Sequence, residues 1–149
     1  MKEHKEFQFG WLIFALVAPV QILITCLFIN DLGDRPIDIT GFSFVSFLFF
    51  LIYLFFYGLT TKVSEEKITV AYGIGFPRRT IAMNRVKSVE TVKSSWYYGW
   101  GIRVFPNGML YNITGTAGVE LQFTDTKYVI RIGSKDSQRL KQEIQKWIK

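Results

Sequence analysis

Two long runs of this chain carry no charged side chain: residues 9–29 and residues 41–59. A backbone must satisfy its own hydrogen bonds wherever water is absent, so uninterrupted apolar runs of this length point to helices across a bilayer. The first run has 21 residues. As a helix it would reach ~31 Å, the thickness of the hydrocarbon layer. Pro19, Gln21 and Thr25 interrupt it, which a membrane helix tolerates when neighbouring groups satisfy the freed polar atoms. The second run has 19 residues and is Phe-rich; residues 42–56 hold seven of the chain's fourteen Phe.

Residues 30–40 separate the runs and contain Gly33, Pro36 and three Asp against the single Arg35. So short a polar loop makes the two helices antiparallel neighbours and leaves both chain ends on one side. Lys2, Lys5, Lys62 and Lys67 flank the hairpin on that side, against Arg35 in the loop. The positive-inside rule therefore expects a two-span protein of the cell membrane with both termini cytoplasmic. Trp11 and Tyr57 would lie at the cytoplasmic interface. A cleaved signal peptide is the competing reading, since Leu23-Ile24-Thr25-Cys26 resembles a lipoprotein cleavage site. The run is long for a signal core, and Thr25 is a poor residue before such a Cys. Neither run holds a charged residue, which favours an anchor over an ion pathway.

The rest of the chain is different. Residues 60–149 carry 15 Lys/Arg and 7 Asp/Glu, whereas residues 1–59 carry 3 and 5. An apolar third followed by a basic remainder excludes a simple soluble globule and a disordered chain. The single Cys26 cannot form an internal disulfide. With His4 the only histidine, a Cys/His zinc cluster is excluded, and no catalytic constellation is visible.

From Lys67 onward, short alternating runs separated by turn residues read as about seven strands. Ile68, Val70 and Tyr72 alternate with Thr69 and Ala71. Asn107-Gly108 is a strong hairpin signal, and Gly115 to Gly118 turns the chain again. Leu140, Ile144, Trp147 and Ile148 recur on one helix face, with Ser134 or Asp136 available to cap its start. The expected organisation is a tail over 1–8, a hairpin over 9–59, a linker over 60–66 and an all-β domain over 67–149. In that domain a strand meander ends in one amphipathic α-helix packed on the sheets.

Several segments carry a resemblance. Tyr98-Gly99-Trp100-Gly101-Ile102-Arg103 leads it, followed by Tyr111-Asn112-Ile113-Thr114-Gly115, Val119-Glu120-Leu121 and Arg131-Ile132-Gly133-Ser134-Lys135-Asp136. Together these resemble the bacterial pleckstrin-homology-like domain over roughly residues 62–149. The resemblance implies two orthogonal sheets with a helix closing one corner, in a membrane setting. It brings no catalytic residues and no cofactor.

Two features are candidate binding sites. Trp96, Tyr97, Tyr98 and Trp100 form an aromatic cluster that suits either a ligand or membrane interface, or a structural corner. Arg78, Arg79, Arg85, Lys87, Lys93 and Arg103 are opposed only by Glu90 across residues 73–103. They fit a solvated basic face or contact with anionic headgroups equally well. The sequence thus points to a non-catalytic, membrane-anchored binding or scaffolding module. Its partners would be membrane lipids, a protein, or its own copies; nucleic acid is disfavoured. An enzyme or accessory subunit acting on a lipid or small molecule would have to use Glu90, Glu120, Asp125 or Asp136.

Overall fold

A computed structural model describes residues 3–95 and 101–148. The chain opens with a strand, β1 (His4–Phe9), before the hairpin helices α1 (Trp11–Ile29) and α2 (Ile39–Phe56). Seven strands stand where the alternating pattern expects them: β3 (Lys67–Tyr72), β4 (Arg78–Ala82), β5 (Val86–Lys93), β6 (Gly101–Phe105), β7 (Gly108–Asn112), β8 (Ala117–Phe123) and β9 (Val129–Gly133). A further strand, β2 (Gly58–Val63), follows α2, and α3 (Ser137–Gln145) ends the fold.

Both helices are long and apolar enough to cross a membrane. They lie side by side through stacked rings, Phe28 on Phe42 at 4.3 Å and Phe14 on Tyr53 at 4.6 Å between centroids. Gln21 uses its amide to cross the pair, donating to Ser46 Oγ at 3.1 Å. Asp38 caps α2 by accepting from the Gly41 amide.

The ends of the hairpin differ from the sequence reading. Residues 4–8 of the expected tail lie in a strand, and residues 60–63 of the expected linker lie in another. β1 pairs antiparallel with β2 from His4↔Val63 to Phe9↔Gly58. One step further, the Gly10 amide donates to the Tyr57 carbonyl at 2.8 Å, and the helices begin at once. The hairpin is therefore an insertion between two paired strands. Gly10 suits this junction because a Cβ there would lie 2.7 Å from the Phe56 carbonyl oxygen and 2.9 Å from Ile113 Cγ1.

The first sheet has the order β1-β2-β3-β4 and is antiparallel throughout. The second has the order β5-β8-β9-β7-β6. This is not the expected meander, because β9 inserts between β8 and β7 and runs parallel to β7. Leu59, Val63, Ile68, Val70 and Tyr72 of the first sheet meet Val119, Leu121 and Ile132 of the second, and Ile113 just after β7, in one core. Helix α3 buries Leu140 and Ile144 in it, and Asp136 caps the helix by accepting from the Arg139 amide at 3.0 Å.

Polar side chains tie β1 to the second sheet. Gln8 donates to the Gly133 carbonyl at 2.7 Å. Glu6 accepts from Ser134 Oγ and from the Lys135 amide at 2.7 Å, just before α3. Deep in the core, the Tyr72 hydroxyl donates to the Asn112 carbonyl at 3.0 Å, and burial holds its pKa well above the ordinary tyrosine value.

Two outcomes test this packing. Gly10→Val should destabilise the full chain by about 1–3 kcal/mol, the usual cost of forcing atoms into a packed site, read by thermal unfolding in detergent. For Tyr72, the raised folded pKa means that the protonated phenol is favoured by folding. Its contribution is intact below the unfolded pKa near 10.0 and declines as pH rises beyond it. Tyr72→Phe should cost about 0.5–1.5 kcal/mol at neutral pH and show a shallower alkaline loss of stability than the parent chain.

Candidate functional site

The β-domain has an end that joins the hairpin, marked by Phe9, Gly58 and Gly10, and an opposite, far end. Register places the sequence-derived basic residues between these ends. Arg78 begins β4 opposite Ala71, near the hairpin, whereas Arg79 lies opposite Val70. Successive strand residues point to opposite faces, so the two arginines diverge. Val70 is in the core, and the Arg79 charge acts on Tyr111. It partly offsets the burial that raises the Tyr111 pKa.

Arg85 stands at the far end, as the last residue of the short 3-10 turn Met83–Arg85. Its guanidinium meets Asp125 at 2.7 Å and lies 5.8 Å from the Phe123 ring centroid. Lys87 is exposed at the start of β5, near the same end. Arg103 is exposed on β6, an edge strand of the second sheet, opposite Leu110. Trp96 and Trp100 lie outside the described residues. Arg78, Arg85, Lys87 and Arg103 thus do not share one face.

The carboxylates singled out for chemistry are engaged. Glu90 pairs with Lys141 at 2.7 Å, Glu120 with Arg131 at 2.8 Å and Asp125 with Arg85. Asp136 caps α3. Among the described residues no group of three or more His, Cys, Asp or Glu could hold a metal ion.

Arg78 does join a cluster, on the outward face of the first sheet. An open hollow of about 500 Å³ is lined there by Lys5, Lys62, Lys67 and Arg78, with Tyr57 and Ile74 toward the hairpin. Glu3 is the one acidic residue on its rim. None of the four cations makes an ion pair among the described residues. Lys5 and Lys62 are direct cross-strand partners, an arrangement of like charges that opposes pairing.

The register also orders these charges by height. Phe7, Thr60, Ala71 and Arg78 form one row across the sheet; Lys5, Lys62, Thr69 and Thr80 form the next. At ~3.4 Å per residue the rows stand about 7 and 14 Å along the strands from Gly58, with Lys67 at about 20 Å. Lys5 and Lys67 are far apart in sequence, so only the β1–β2 pairing reveals the cluster. The visible signal was the excess of Lys around the hairpin.

Comparison of the chain with family models, with curated proteins and with solved structures gives no match.

Relieving the opposed lysines should stabilise the fold. Lys62→Gln is expected to gain about 0.2–1 kcal/mol at low ionic strength. Most of that gain should vanish in 1 M salt, where the screening length is about 3 Å. Denaturant unfolding at the two salt concentrations checks both statements.

Proposed function

We propose that this chain is a membrane-anchored, non-catalytic binding module, and that its basic outward face takes anionic headgroups of the leaflet it sits on. In this reading α1 and α2 span the bilayer, and the β-domain and both termini are cytoplasmic. The lengths of 19 and 18 residues support the spans, giving about 29 and 27 Å against a hydrocarbon layer of roughly 30 Å. The Lys excess at the domain side of the hairpin, against Arg35 in its loop, supports the orientation. Two sheets closed by a C-terminal helix agree with a pleckstrin-homology-like layout, although the parallel β7–β9 pair departs from a simple meander.

The observation that carries the ligand reading is the Lys5–Lys62–Arg78 group, which makes no ion pair among the described residues and is set one and two rows from the hairpin. The headgroup layer on each side of the hydrocarbon is roughly 5–8 Å deep. Arg78 would lie within it. Lys5 and Lys62 would lie just above it, with stems long enough to reach down. A fold that leaves like charges opposed without carboxylate partners suits an external anion. Each cation near an anionic leaflet contributes ~1 kcal/mol, so three would give about 3 kcal/mol, or roughly 100-fold in affinity.

Two experiments test this. In the Cys26→Ser background, Asp34→Cys should react with a membrane-impermeant thiol reagent in intact cells, and Lys127→Cys should not; the reverse pattern would overturn the orientation. Short-chain phosphatidylglycerol should raise the melting temperature of the full chain in neutral detergent more than short-chain phosphatidylcholine does. Lys5→Gln/Lys62→Gln/Arg78→Gln should lose that difference. Equal shifts from both lipids, or an undiminished shift in the triple variant, would count against headgroup binding.

A further inference from the structure

The β3–β4 turn is apolar, exposed and fastened to a hairpin helix. Ile74 is 59% exposed and Phe76 is 67% exposed, on a segment that reads Gly73-Ile74-Gly75-Phe76-Pro77 and carries no polar side chain. The turn is closed by its own backbone. The Gly75 amide donates to the Tyr72 carbonyl at 2.7 Å, and the Tyr72 amide to the Pro77 carbonyl at 3.0 Å. Gly73 has a φ of +44° and donates to the Gly58 carbonyl at 2.9 Å. A Cβ on Gly73 would collide with the backbone carbonyls of Leu54 and Phe55, so the turn lies directly against the last turn of α2. Phe76 meets Phe55 edge to face, 6.1 Å between centroids.

These contacts fix where the turn sits along α2. Phe55 is one residue from the end of that helix, so Phe76 shares its level. Resting on the reading that α2 spans the bilayer, we infer that the β3–β4 turn is a second membrane attachment. It inserts Ile74 and Phe76 into the edge of the hydrocarbon layer beside α2. The occupant of this apolar patch is lipid, because the patch is continuous with a lipid-facing helix. The residue after Pro77 is Arg78, which then emerges at headgroup height. The order along the chain is the one an interfacial segment needs: apolar side chains below, a cation above. Insertion on one flank, together with the helices themselves, gives the domain more than one point of attachment and fixes its tilt. The basic hollow lies beside this turn and would be held facing the leaflet.

Nitroxide labels measure this depth in the full chain. In the Cys26→Ser background, single cysteines at Ile74, at Phe50 within α2 and at Asn107 in the far β6–β7 turn are labelled and reconstituted into phosphatidylcholine vesicles. Accessibility to dissolved oxygen and to a water-soluble nickel chelate is compared. Positions 50 and 74 should both favour oxygen, with a ratio several-fold above that at 107. If 50 favours oxygen while 74 matches 107, the turn is in water and the inference fails, although the span stands. A label at 74 shielded from both reagents means a protein contact, which also overturns it. A label at 50 open to nickel removes the span itself.

Discussion

The backbone ladder between β1 and β2 is the interaction on which the rest depends. It runs from His4↔Val63 to Phe9↔Gly58 and is prolonged by the Gly10–Tyr57 hydrogen bond into the start of the helices. The hairpin is therefore inserted into the β-domain, entering and leaving through adjacent paired strands. A seven-residue linker would let the domain wander by up to about 25 Å. A hydrogen-bonded ladder allows nothing comparable, because both connections are held at once and in register.

That constraint gives the surface chemistry its order. Once Phe9 and Gly58 are fixed at the hairpin, every outward side chain of the first sheet has a set height, and the cations fall into rows. Arg78 occupies the nearest, Lys5 and Lys62 the next, and Lys67 lies beyond. Cations paired elsewhere do different work: Arg85 and Arg131 bind carboxylates, and Lys141 joins α3 to Glu90 on β5. Lys5, Lys62, Lys67 and Arg78 on the outward face of the first sheet make no such pair among the described residues, and Lys5 and Lys62 stand directly opposed.

Much of the fold was legible because its inward residues are apolar. Ile68, Val70 and Tyr72 announced β3, and Leu140 and Ile144 announced α3, as all five are core residues. β1 was not legible, because its alternation is reversed. Its inward residues, Glu6 and Gln8, are polar and serve Ser134, Lys135 and Gly133, while Phe7 and Phe9 point outward. β2 was hidden differently. Leu59 read as the tail of an apolar run, and Thr61, fully buried, sits at the inward position where a hydrophobe would have marked the strand. Without those two strands, the Lys5–Lys62 pairing could not be foreseen; Arg78 and Arg79 stood together in the basic run because β4 begins at Arg78, ahead of its apolar residues. Strand alternation separates them.

The central claim, that the β-domain is held to the hairpin without slack, is open to one direct distance measurement. In the Cys26→Ser background, a nitroxide pair at Leu16 on the exposed side of α1 and at Asn107 in the far turn spans the junction. Double electron–electron resonance on the full chain in lipid nanodiscs should give a single narrow distance distribution. A broad distribution, tens of ångströms wide as for a domain on a flexible tether, would contradict the account.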